Sequence, residues 1–343
     1  MHARALTFGI SGCGDAMAAM LARVRQHAHC VPHAIHDEDA AAAASFAEAN
    51  GLRTCASFDA LLQTGVDFVV LAGDPCDRLA QVEAAAAQGA HCLVIAPMAL
   101  DGATAAAMLR ACDAAGVKLG VAVEEQNEPV MEQLRRMVAD DWLGAPVLAQ
   151  AIAADDTSLR NPPREDHWLR DRVRAHGSAL ASFAAPPLHL AIWMCERAPL
   201  AASAMGTEGL LSLPHENATA TVALRGGALC SFSSSHSTSG QSFSLHGTDG
   251  ALRVSPDRIW LKGRKAFHGD SFAYPEAFAE LTLPRRDARD PLAAHFELCG
   301  RFARWIDDRD DFPCPGEQAA LDMRAIDAML RSLRTGRVEN VNS

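Results

Sequence analysis

The chain has 343 residues, more than one ordinary domain and fewer than three, which predicts two. Apolar residues make up 49% and charged residues 21%, the balance of a globular chain and not a disordered one. A formal net charge of −11 leaves no general basic footprint for nucleic acid. No apolar run reaches the roughly 18 residues that span a bilayer. Met1-His2-Ala3-Arg4 leads straight into an apolar segment, so no secretory signal and no membrane partner are expected. The ten cysteines are scattered between Cys13 and Cys314, with no C-x-x-C and no tight Cys/His cluster. That usage fits a reducing cytoplasm and gives no zinc spacing.

In chain order, apolar runs at Ala5–Ile10, Cys30–His36, Phe68–Ala72, Cys92–Ile95 and Leu119–Val123 read as strands. Ala-rich stretches of helical length separate them at Ala16–Gln26, Asp39–Asn50, Asp77–Gln88 and Gly102–Ala115. This alternation predicts a doubly wound parallel sheet covered by helices on both faces. After Pro129 the texture changes. Val130–Asp140 reads as a helix, Val147–Ala153 as a strand and Asp155–Asp171 as a long polar loop. Strands at Ala218–Leu224, Ala228–Ser235, Ser242–His246 and Ala251–Val254 follow, with Gly226-Gly227 and Thr248-Asp249-Gly250 as turns. Pro291–Asp307 and Glu317–Arg334 close the chain as helices. The expected fold is an α/β Rossmann domain over residues 1–124 and an α+β domain with a largely antiparallel open sheet over residues 125–343.

The first strand runs into Gly9-Ile10-Ser11-Gly12-Cys13-Gly14-Asp15-Ala16-Met17. Glycines spaced G-x-G after a buried strand and before a helix form the phosphate turn of a dinucleotide fold, with the helix N-terminus facing the anion. Gly9, Gly12, Cys13 and Gly14 are therefore candidate cofactor contacts. Met17 takes the place of a third glycine and should push the helix outward or force a small neighbour. Asp37 ends the second strand. It can bind the adenosine ribose and repel a 2′-phosphate, which selects NAD over NADP, or it can be a solvated loop aspartate.

The whole chain resembles the glucose–fructose oxidoreductase/inositol dehydrogenase (Gfo/Idh/MocA) family. Gly89-Ala90-His91-Cys92-Leu93-Val94-Ile95-Ala96-Pro97 is similar to that family's strand ending in Glu-Lys-Pro, and Arg331–Arg337 to its C-terminal signature. The resemblance implies hydride transfer between NAD(P) and a sugar, polyol or related small molecule, with the open sheet serving a homo-oligomer, dimer or tetramer. It also implies that Asp74, Ala96 and Pro97 border the cofactor. The family's lysine position holds Ala96. Aligned on Gly177 and Leu180, its helix aspartate and histidine become Ser182 and Pro186, and a second aspartate position becomes His189.

Hydride transfer from an alcohol needs a base and usually a cation or donor for the developing alkoxide. Ala96 can be neither. Ser182 does not titrate near neutrality, and Pro186 has no acid–base group. Pro186-Pro187 should kink the helix or reset its start. Only three lysines exist: Lys118 opens a strand at the edge away from the ligand end, and Lys262 and Lys265 lie beyond the antiparallel sheet. His189 is the candidate catalytic residue, or else a histidine satisfied in a domain interface. His167 can line a lid or be a surface histidine, and Glu124 and Glu125 can contact ligand or cap the junction. Two functions stay open: a divergent NAD-dependent oxidoreductase of a small molecule, and a non-catalytic dinucleotide-binding or small-ligand-binding sensor or partner subunit.

Overall fold

The structure, a computed structural model, describes residues 4–13, 17, 21, 29–123, 126, 129–163, 165, 168–171, 179–256, 258–263 and 293–341. It divides into two units, Met1–Asn127 with Asp290–Ala320, and Glu128–Arg289 with Leu321–Ser343.

The first unit is built on β1 (Leu6–Ser11), β2 (Cys30–His36), β3 (Arg53–Thr54), β4 (Phe68–Leu71), β5 (His91–Ile95) and β6 (Leu119–Ala122). They form one parallel sheet in the order β3-β2-β1-β4-β5-β6. The chain reverses its winding between β1 and β4, which makes that point the crevice where such sheets take ligands. Helices α1 (Ala40–Asn50), α2 (Phe58–Leu62), α3 (Arg78–Ala87) and α4 (Gly102–Ala115) connect the strands. Asp39 caps α1 by accepting the N–H groups of Ala41 and Ala42, and Asp101 caps α4 through Thr104 N. Left-handed glycines end both helices, Gly51 at φ +61° and Gly116 at φ +67°. Met17 and Leu21 are buried in the core with Phe8 and Ile10, so the side chain in the third-glycine position fills apolar space.

The second unit begins with α5 (Pro129–Ala139) and β7 (Pro146–Ala154). Among its described residues the polar stretch expected as a loop contains a helical turn, α6 (Thr157–Arg160), and a 3-10 turn at Trp168–Arg170. The proline pair does reset a helix: α7 (Ala179–Phe183) stops, and α8 (Ala185–Cys195) starts with Pro186 in its first turn, where no N–H is missed. Then come β8 (Pro199–Thr207), β9 (Asn217–Leu224), β10 (Leu229–Ser235), β11 (Gly240–Gly247), β12 (Gly250–Val254) and β13 (Ile259–Gly263). After α9 (Ala293–Ile306) and α10 (Gly316–Thr335), β14 (Glu339–Asn340) completes the sheet β13-β12-β11-β7-β10-β9-β8-β14. Every pairing is antiparallel except β7 with β10. Alternate residues such as Ala149, Ala151, Cys230 and Phe232 are buried on the inner face, where α7 and α8 pack.

The sequence reading placed everything after residue 124 in the second domain. In the structure residues 290–320 group with the first unit instead. Apolar packing explains this: Phe302 of α9 lies edge-on to Phe68 of β4 at 5.4 Å and to Phe312 at 5.3 Å. Among the described residues no helix is long and apolar enough to cross a membrane.

Candidate functional site

The glycine turn follows β1. Gly12 has φ +97°, and a Cβ on it would stand 2.5 Å from Gly73 N, so any side chain would collide with the backbone after β4. That closeness is locked by Ala72 N and Gly73 N, which both donate to Ser11 O, at 2.8 and 3.1 Å. The turn is also tied to β2: Gly12 N donates to His36 O and Cys13 N to Asp37 Oδ2, each at 2.9 Å. Both N–H groups are therefore already engaged; Gly14 and Asp15 lie outside the described residues. Gly9 also has a packing role. It sits inside β1, and a Cβ there would be 3.0 Å from the Leu61 side chain, so its bareness serves the packing of α2.

Asp37 is not a freely solvated loop aspartate. Its second oxygen accepts Asp39 N at 2.9 Å. Burial pushes its pKa up, but hydrogen bonds from the N–H groups of Asp39 and Cys13 and from the Cys13 thiol hold it below the usual carboxylate value. The Cys13 thiol is pushed up to about 11, first by burial and then by its bond to Asp37 and that residue's charge. A carboxylate has about four lone-pair sites, so about one remains for a ribose hydroxyl.

Asp74, Ala96 and Pro97 lie on the loops after β4 and β5. Asp74 Oδ1 accepts Cys76 N at 2.8 Å. Between these loops is a group the sequence reading missed. Arg78 opens α3 and is buried; its Nη2 donates to Gly73 O at 3.1 Å and its Nη1 to Pro97 O. Its Nε is buried with no hydrogen-bond partner among the described residues. Three residues on, Gln81 Nε2 donates to Ser11 Oγ at 3.0 Å. Nothing in the local sequence marks Arg78, because a charged residue in a first helical turn is ordinarily solvated. These residues fit a dinucleotide: the turn is bare at Gly12, Asp37 keeps acceptor capacity, and Arg78 has a donor without an acceptor.

In the second unit His189 is buried on α8, and its Nδ1 lies 2.5 Å from Asp322 Oδ2 on α10. With Asp322 ionised, and so only accepting, Nδ1–H donates and a neutral ring keeps its lone pair on Nε2. Burial raises the Asp322 pKa, and the contact with His189 offsets only part of that rise, so it stays above the usual carboxylate value. Asp322 is the second residue the sequence reading missed, since it lies 133 positions away on a helix. Ser182 Oγ is buried with no partner among the described residues, and Pro186 is half-buried. Lys118 is committed at the far end of the first sheet: its Nζ donates to Trp305 O and Asp308 Oδ1 and lies 5.0 Å from the Trp305 ring. Lys262 pairs within β13 against Ala251 of β12. Glu124, Glu125, His167 and Lys265 lie outside the described residues.

Residues 6–123 match the model of the oxidoreductase family with an NAD-binding Rossmann fold, and residues 131–253 match the GFO/IDH/MocA C-terminal domain. The chain is 27% identical to a D-xylose 1-dehydrogenase (NADP(+)) of Haloferax volcanii, over 96% of this chain and 98% of the relative. It is similar in fold to the WlbA dehydrogenase of Bordetella pertussis, solved with NADH and UDP-GlcNAcA, at TM-score 0.82 and 20% identity over 99% of both chains. It is likewise similar to the aldose-aldose oxidoreductase of Caulobacter crescentus, at TM-score 0.82 and 19% identity over 98% of this chain and 100% of that one.

Proposed function

The chain belongs to the Gfo/Idh/MocA family of NAD-binding oxidoreductases, and from that premise we propose that it oxidises or reduces a small sugar, polyol or related carbonyl or imine with NAD(H), using His189 to handle the proton. The observation that carries this reading is the buried 2.5 Å contact between His189 Nδ1 and Asp322. An imidazole is the side chain that titrates nearest neutrality, and a carboxylate on Nδ1 fixes its tautomer and leaves Nε2 to take or return a hydroxyl proton. Bound NAD supplies the hydride acceptor or donor. The bare turn at Gly12, with Asp37, Asp74, Ala96 and Pro97, would hold the dinucleotide, and the charge on Asp37 favours NAD(H) over NADP(H). The names of the sugar-acting relatives support the substrate class.

A second reading has its own observation. Ala96, Ser182 and Pro186 stand where the family resemblance places lysine, aspartate and histidine, which favours a non-catalytic dinucleotide-binding descendant. Turnover on a panel of sugars, polyols and the matching ketones, aldehydes and imines separates the two. The catalytic reading expects activity that falls at least about a hundredfold in His189→Ala while NADH affinity stays within about twofold. Silence across the panel with NADH binding intact moves the protein to the second reading. An active His189→Ala variant overturns the assignment of that residue.

We place the protein in the cytoplasm, supported by ten cysteines that all stand as free thiols. The proposal also includes a homo-oligomer formed through the outer face of the second sheet. That face carries exposed Leu148, Ile152, Met205 and Leu229 among small hydroxylated residues.

A further inference from the structure

The described part of the cofactor unit contains one deeply buried cation beneath the ligand end of its sheet, Arg78, which is 3% exposed. It holds carbonyls of two different loops, Gly73 O after β4 and Pro97 O beside Ala96 after β5. No described carboxylate lies within ion-pairing distance of it, and its Nε is buried without a partner. Burial lowers its pKa to about 10, and the nearby Asp74 and Cys76 act against that shift, so it stays charged at neutral pH. A guanidinium in this state can stabilise or repel charge but cannot exchange a proton. It therefore replaces only the charge of the lysine that the family resemblance places at residue 96.

The topology fixes what this cation faces. A dinucleotide on such a sheet puts its pyrophosphate at the turn after β1 and its adenosine toward the tip of β2, where Asp37 stands. The other nucleotide half then runs across the switch point toward β4 and β5, whose C-terminal loops Arg78 clamps. We propose that Arg78 makes this site discriminate between the redox forms of the cofactor, favouring the uncharged dihydronicotinamide of NADH over the cationic ring of NAD+. The inference rests on the NAD(H) reading above and deepens it. Asp74 opposes Arg78 from the same loop. It is half-buried and closer to water, so its field is the more screened of the two.

Isothermal titration of NAD+ and NADH against the wild type, Arg78→Met, Arg78→Lys and Asp74→Asn tests this. The readout is the ratio of the two dissociation constants, which a purely mechanical clamp does not move because it weakens both forms alike. Removing a unit charge from a low-dielectric site should shift the ratio toward NAD+ by roughly three- to tenfold in Arg78→Met. Arg78→Lys should keep the wild-type ratio within about twofold, and Asp74→Asn should shift it the opposite way, toward NADH. An unchanged ratio in Arg78→Met, with both constants altered by the same factor, overturns the proposal and leaves Arg78 a loop clamp. If Arg78→Met fails to fold, Arg78→Gln takes its place, and an unchanged ratio there overturns the proposal equally. Failure of the wild type to bind either form is a different result, and it removes the cofactor reading itself.

Discussion

Substituting His189 by alanine should do more to stability at neutral pH than in acid, and the reason lies in its partner. Asp322 is buried, its Oδ2 is 2.5 Å from His189 Nδ1, and its Oδ1 has no hydrogen-bond partner among the described residues. Removing the imidazole leaves a carboxylate out of water with its chief stabilising contact gone. Breaking a buried pair from one side typically costs about 3–5 kcal/mol. The cost depends on pH with a definite sign. Burial already raises the Asp322 pKa, and the loss of His189 raises it further. A raised carboxyl pKa favours the folded state below the unfolded value and loses that contribution as pH rises through the folded one. The variant should therefore sit about 3–5 kcal/mol below the wild type at pH 7, and the gap should narrow as pH falls toward 5 and Asp322 takes up a proton. Urea unfolding of both proteins at the two pH values measures it. A deficit under about 1 kcal/mol, or one equal at both pH values, would refute the account of an ionised carboxylate held by His189.

Cofactor preference follows from Asp37: NADH should bind at least about tenfold more tightly than NADPH, in contrast to the NADP(+) named for the Haloferax volcanii relative, because a 2′-phosphate would meet a like charge. Asp37→Asn, which keeps an acceptor for Cys13 N, should erase most of the difference, and tighter NADPH binding by the wild type would contradict the assignment. For self-association, light scattering at micromolar concentration should give a mass above 36.5 kDa, and Ile152→Glu should dissociate the assembly, since Ile152 is 49% exposed on the outer sheet face. A single 36.5 kDa species across a tenfold dilution of the wild type would count against that interface.

Elements were legible in the sequence wherever one physical signal dominated. Cys30–His36 and Gly102–Ala115 have the expected bounds, because a buried apolar run and a stretch of alanines between Asp101 and Gly116 leave little choice. β8 was missed because Pro199-Leu200-Ala201-Ala202-Ser203-Ala204-Met205-Gly206-Thr207 has small residues on both faces and no clear alternation. β3 is only two residues long and is held by pairing with β2. The glycine turn and Asp37 were legible because the dinucleotide fold ties them to strand ends. Arg78 and Asp322 were not. Each takes its meaning from a partner on another element, Pro97 for one and His189 for the other, and no local pattern records those contacts.

The two missed residues also bear on how the proposed chemistry would be met without a lysine at position 96. A lysine there can both hold negative charge and exchange a proton, since an ammonium shifts its pKa readily when buried. Neither Arg78 nor His189 reproduces both properties. Arg78 stays charged across the neutral range and can only bias charge. His189, with Nδ1 engaged by Asp322, can move a proton at Nε2. If both act, substitutions should separate the two properties. Loss of the Arg78 charge should alter the balance of cofactor redox forms without changing the pH dependence of turnover, while loss of His189 should remove the titrating limb and leave that balance intact. A single side chain that carried both properties would not allow such a separation.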